Sequence, residues 1–281
     1  MSQRTIAHNG IEIWTEGFGD PADPAVLLIM GATAQGIIWP IPLIEKLVAS
    51  GKHVLRYDHR DVGQSTCSDF NANPYSLDEL TEDAVAVLDG WNIERAHVIG
   101  VSMGGMITQL LMVNVPDRLI TATLISTSPL AGMLFSEDLP LGPFLKAMNE
   151  AGPVATPKTK QEWMARQIDF FTALADPAAL DKTQLQRTLS EVYDRAGDIE
   201  TATNHARAIV RSQPLDRRPM LAACTTPTTV LHGGRDPIFS LVHGQAIADT
   251  VPTAKITVFD RMAHDLPEYC WDAIVQSTSP S

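Results

Sequence analysis

Gly100-Val101-Ser102-Met103-Gly104 follows the apolar run Val98-Ile99 and precedes a helical pattern from Met106 to Val113. A sharp strand-to-helix turn at this point lifts the serine hydroxyl above a sheet, and the small residues two before and two after it relieve the crowding of that turn. The helix that begins there also aims backbone N–H groups at developing negative charge. Read alone, the five residues also suit an ordinary glycine-rich turn. The strand before them and the helix after them favour an activated serine, and Ser102 is the candidate nucleophile.

Outward from this turn, short apolar runs alternate with helical patterns. Val26-Leu27-Leu28-Ile29-Met30 is continuously apolar, as in a strand covered on both faces, whereas Ile11 and Ile13 alternate with polar neighbours, as in a half-exposed edge hairpin strand. His53 to Tyr57, His97 to Gly100, Leu119 to Ile125, Thr229 to His232 and Lys255 to Phe259 are further strand candidates, with a helical stretch around Leu241 to Thr250. Ser76-Leu77-Asp78-Glu79 is a capping box, followed by Leu80, Ala84, Leu88 and Trp91 on the helical face begun by Leu77. The expected fold class is α/β, a mostly parallel central sheet with helices on both faces. Pro129 to Arg218 shows helix-like segments broken by Pro140, Gly142, Pro143, Gly152, Pro153 and Pro157, and no convincing strand. The expected organisation is a core of residues 1–128 and 219–281 with a helical cap inserted at 129–218.

A serine hydroxyl becomes a good nucleophile when a base takes its proton and a third group orients that base. Where a strand-to-helix serine elbow of this kind carries a triad, its partners follow later in the chain in the order acid, then histidine, each on a loop leaving the carboxyl end of a strand. Asp236, in Gly233-Gly234-Arg235-Asp236-Pro237, follows one late strand, and His264, in Arg261-Met262-Ala263-His264-Asp265, follows the next. Two plainer readings stay open at this level: aspartate before proline often caps a turn, and His264 also suits a surface loop. His59 leaves a strand end too, but would put the triad in the wrong order. The oxyanion of an acyl-transfer intermediate needs donors, which the N–H of Met103 and the N–H of Ala32 supply in this reading, with Gly31 making a tight turn. Gly31, Trp39, Phe135, Trp163 and Phe171 are the candidate substrate-binding residues. Trp39 fits a pocket floor or the core equally, and large groups in the cap, Trp163 and Phe171 among them, also suit packing between cap helices. The polar loop Arg56 to Ser65 reads as structural, with Asp58, Arg60 and Ser65 satisfying one another.

Taken together, these residues resemble the α/β-hydrolase superfamily over essentially the whole chain. Within it, Asp20 to Ala25, Arg56 to Thr66, Asp83 to Trp91 and Arg95 to Gly104 are similar to aclacinomycin methylesterase-like bacterial esterases. The resemblance implies a triad of Ser102, Asp236 and His264, an oxyanion hole at Ala32 and Met103, and cleavage of a carboxylic ester, with a methyl ester of a bulky apolar or polyketide molecule as one candidate. The chain departs from that family at Gly31-Ala32-Thr33, where a second glycine is expected, and in its cap. Lactones, amides, C–C bonds and cofactor-free perhydrolysis are alternatives for the same triad, and a non-catalytic ligand receptor is the alternative of a different class.

Composition narrows the setting. The 281 residues, 44% hydrophobic and 19% charged, are those of a globular protein. No run reaches the ~18 to 20 apolar residues of a membrane span. The start MSQRTIAHNG lacks the apolar stretch of a secretory signal, so a cytoplasmic location is expected. Three scattered cysteines argue against disulfides or a cysteine zinc site, and a formal charge of −12 argues against nucleic acid and anionic membranes as partners. A small-molecule substrate, a monomer or homodimer, and no metal or organic cofactor complete the expectation.

Overall fold

The computed structural model describes residues 1–131, 138–152 and 156–279. The sheet is built from β1 (Ser2–His8), β2 (Ile11–Phe18), β3 (Ala25–Ile29), β4 (His53–Tyr57), β5 (Ala96–Val101), β6 (Leu119–Ile125), β7 (Thr228–Gly233) and β8 (Ala254–Phe259), in the order β1-β2-β4-β3-β5-β6-β7-β8. β2 runs antiparallel to β1 and β4, and β3 to β8 are parallel. The continuous apolar runs follow from burial of both faces. In β3, Ala25, Leu27 and Ile29 point into one core, while Val26 and Leu28 point into the other with Met30 just beyond the strand.

The helices α1 (Ile41–Ala49), α2 (Leu77–Gly90) and α3 (Met103–Asn114) connect the first parallel strands. The capping box at Ser76 starts α2, with Glu79 Oε2 accepting from the Ser76 N–H at 2.7 Å. Between β6 and β7 the chain leaves the sheet and forms α4 (Pro143–Ala151), α5 (Lys160–Leu174), α6 (Lys182–Arg195), α7 (Asn204–Arg211) and the short α8 (Arg218–Leu221). α9 (Leu241–Thr250) and α10 (Trp271–Gln276) complete the chain. None of the described helices is long and apolar enough to cross a membrane.

The structure differs from the sequence expectation at the sheet margin: β2 is covered by β1, which is the true edge. Ser2–His8 is mostly exposed and carries little apolar signal. Its register comes instead from the two-residue turn Asn9-Gly10, where both residues have positive φ (47° and 81°) and the right-handed hairpin twist is met.

The strand order reverses between β3 and β5. Connections leave β3 toward β4 on one side and β5 toward β6 on the other, so a crevice opens at the carboxyl ends of β3 and β5. The Gly31 and Ser102 loops both emerge there.

Candidate active site

Ser102 sits at φ 56°, ψ −118°, a strained conformation for a residue with a side chain. The surroundings enforce it. The Ser102 N–H donates to the Ile125 carbonyl at 2.9 Å, and its own carbonyl accepts from the Thr127 hydroxyl at 2.7 Å and from the N–H groups of Gly105 and Met106. Gly104 is required because a Cβ there would strike the carbonyl oxygens of Ile29 and Met30. The turn therefore packs against the end of β3 closely enough that a Cβ on Gly31 would lie 3.2 Å from Ser102 Cβ.

His264 Nδ1 donates to Asp236 Oδ2 at 2.8 Å, with the carboxylate fully buried. The other carboxylate oxygen accepts from the N–H groups of Ile238 and Phe239 at 2.8 and 2.9 Å. Asp236 thus caps its own turn with one carboxylate oxygen and holds the His264 ring with the other. Burial alone would raise its pKa. The charge and hydrogen bond of His264, the nearby His232 and the Phe239 N–H outweigh burial and hold the carboxyl below its usual value. The His264 backbone is gripped by the insertion: its N–H donates to Leu174 O at 2.8 Å, and Asp265 Oδ2 accepts from the Asp176 N–H at 2.8 Å.

Ser102 and His264 line one cavity of about 470 Å³, with Gly31, Ala32, Thr33 and Phe171. Its walls are mainly apolar and come from both the sheet loops and the insertion, among them Leu145, Phe170, Leu174, Leu185, Ile209 and Phe239. Among the described residues its acidic lining consists of Asp181 and Asp265, and it contains no lysine or arginine. Trp39 and Trp163 do not line it. Trp39 is fully buried among Leu43, Leu47 and Val54, and Trp163 packs on Leu189, Val192 and the Tyr193 ring. Phe135 lies outside the described residues. The Met103 side chain is fully buried in the core, and its backbone N–H opens α3 at Ser102.

The polar loop after β4 proves to be the dock for the insertion. Arg195 from α6 bonds Asp58 Oδ2 and Gln35 Oε1, both at 2.8 Å, and stacks over Trp14. Asn204 donates to Asp61 Oδ2 at 3.0 Å. Arg60 does not pair with Asp58 as its sequence position suggests. It forms a two-toothed pair with Asp83 of α2 at 2.7 and 2.7 Å, while Ser65 does donate to the Asp58 carbonyl. Arg195, Asn204 and His205 carried no local signal, since each finds its partner more than a hundred residues away.

Residues 24–268 match the model of a family described as alpha/beta hydrolase fold. The chain is 33% identical to rhodomycin D methylesterase DnrP of Streptomyces peucetius and 34% identical to rhodomycin D methylesterase DauP of Streptomyces sp. (strain C5), in each case over 95% of this chain and 93% of the relative. A crystal structure of a hydrolase from Pseudomonas aeruginosa superposes with a TM-score of 0.78 at 23% identity, covering 99% of this chain and 98% of that one, a likeness of fold.

Proposed function

The chain belongs to the alpha/beta hydrolase fold family and is homologous to the rhodomycin D methylesterases; from that premise we propose that it is a serine carboxylic ester hydrolase whose nucleophile is Ser102. The observation that carries this reading is one cavity lined by a serine on a strained elbow and by a histidine already bonded to a buried carboxylate. Because Asp236 is ionised and accepts from Nδ1, the proton of the neutral ring stays on Nδ1 and Nε2 is the basic nitrogen. His264 removes the Ser102 proton as the oxygen attacks the ester carbonyl. The N–H groups of Ala32 and Met103 hold the oxyanion, and the imidazolium then gives its proton to the departing alcohol. Water, deprotonated by the same Nε2, hydrolyses the acyl-enzyme.

The substrate in this reading is a bulky, mainly apolar ester, with a methyl ester as the first candidate from the relatives' names. The size and apolar walls of the cavity support a drug-sized molecule. The insertion, read from the sequence as 129–218, serves as the cap, and its described residues supply about half of those walls. Two carboxylates and no cation in the described lining disfavour a substrate bearing a second, free carboxylate, because an anion there would be desolvated beside like charge. Neutral esters are therefore expected to exceed matched free-acid analogues in kcat/KM by at least about tenfold, equivalent to about 1.4 kcal/mol.

The deciding experiment is intact mass after exposure to a small fluorophosphonate, comparing wild type with Ser102→Ala. One adduct on the wild type and none on the variant is expected. Absence of an adduct on folded wild type would favour a ligand receptor instead.

A further inference from the structure

We propose that His205, on α7 of the insertion, is a positioning residue for ester cleavage: with His59 it fixes the peptide that presents the Ala32 N–H to the oxyanion. The inference rests on the reading of Ala32 as an oxyanion donor. Three successive peptide groups carry the argument. The Met30 carbonyl accepts from His59 Nε2 at 2.9 Å. The Gly31 carbonyl faces the Ala34 N–H at 3.4 Å. The Thr33 N–H donates to His205 Nδ1 at 2.8 Å.

The peptide in the middle, Gly31–Ala32, bears the N–H in question. In a trans peptide the N–H points away from the carbonyl. Turning the Gly31 carbonyl toward Ala34 therefore turns the Ala32 N–H the opposite way, in a loop that abuts Ser102. With its two flanking peptides tied to imidazoles, that plane has little freedom to rotate.

The conformation is not one the loop prefers. Thr33 has φ 66°, a region unfavourable for a β-branched residue. The bond to His205 offsets that cost, and the acceptor comes from a helix 172 residues away.

His205 is suited to the task only as a neutral ring. Nδ1 accepts from an N–H and so carries no proton, while Nε2 donates to the Arg60 carbonyl at 2.8 Å. The ring is fully buried, with His59 edge-on at 5.6 Å and Arg60 and Asp61 as the charged neighbours. The insertion in this view does more than enclose substrate, because it supplies the acceptor that the oxyanion loop lacks from the sheet domain.

A side-chain amide can do both jobs of the neutral ring, its oxygen accepting from Thr33 and its nitrogen donating to Arg60. The test compares wild type, His205→Gln and His205→Leu in kcat and KM for a neutral ester, with Tm and fluorophosphonate labelling alongside. In His205→Leu, kcat is expected to fall by about 10- to 100-fold, short of or up to the loss of a whole oxyanion donor, with KM within about threefold. His205→Gln is expected to recover kcat to within about threefold of wild type. Folded His205→Leu with kcat within twofold of wild type overturns the proposal, as does a folded glutamine variant no more active than the leucine one. If the leucine variant does not fold, the glutamine variant decides alone: kcat within threefold supports the proposal, and a larger loss on folded protein overturns it. A wild type that neither labels nor cleaves esters removes the functional reading and this inference together, whereas active wild type with an insensitive His205 removes this inference only.

Discussion

Replacing Asp236 with asparagine is expected to lower kcat for a neutral ester by about 10³- to 10⁴-fold while leaving KM and the fold close to wild type. The structure separates the two duties of this side chain. One oxygen caps the turn through the Ile238 and Phe239 N–H groups, and the asparagine oxygen can do the same. The other accepts from His264 Nδ1, and an amide nitrogen in its place has a proton to donate instead. The imidazole then answers by placing its own proton on Nε2, the nitrogen that must be bare to deprotonate Ser102 in the proposed reaction. The loss therefore falls on the chemical step rather than on binding, and steady-state kinetics on protein of unchanged Tm reads it directly. A loss under tenfold would mean that Asp236 only holds its turn and that another group orients the base.

Acid is expected to destabilise this fold well above the carboxylate range. Six of the eight histidines, His53, His59, His97, His205, His232 and His243, are held below the ordinary histidine value, in each case chiefly by burial. For His59 the value is about 3 and for His97 about 4. In the unfolded chain each titrates near 6.5. As pH falls below that value the unfolded chain gains protons that the folded chain refuses, so folding loses stability. The loss continues until the folded-state values are reached. Between pH 7 and pH 5 a histidine with so low a folded value costs about 2 kcal/mol. The raised carboxyls of Asp58, Asp83 and Asp265, each pushed up first by burial, act with the opposite sign, protecting at low pH and weakening as pH rises through their folded values. A single-site variant isolates the histidine effect. His97 lies in β5, bonded to the Thr121 hydroxyl at 2.9 Å and away from the candidate site. His97→Asn is expected to flatten the fall in unfolding free energy between pH 7 and pH 5 by about 2 kcal/mol. Denaturant titrations at the two pH values measure it, and an identical slope in variant and wild type would contradict the assignment.

The parts of the molecule legible in the sequence are those written in short stretches of it. The elbow at Ser102, the strand runs, the capping box at Ser76 and the serine, acid, histidine order all depend on strand-to-helix grammar within a few residues, and burial of both sheet faces leaves continuous apolar runs. The edge strand Ser2–His8 escaped because a solvated edge needs no apolar pattern, although Asn9-Gly10 marked its turn. Trp39 and Trp163 show the limit from the other side. A tryptophan beside a pocket and one inside a core have the same local sequence, and only packing distinguishes them.

By itself, then, the sequence determined the α/β sheet, the inserted helices and a candidate triad, because each follows from local periodicity and chain order. Only the tertiary structure decided what surrounds that triad: the Arg195 and Asn204 docking bonds, the His205 bond to Thr33, and the apolar, cation-free lining among the described residues. The physical reason is distance along the chain. Hydrogen bonds such as these join groups that come together only when the insertion docks on the loop after β4, and their energy depends on burial, which no local pattern records.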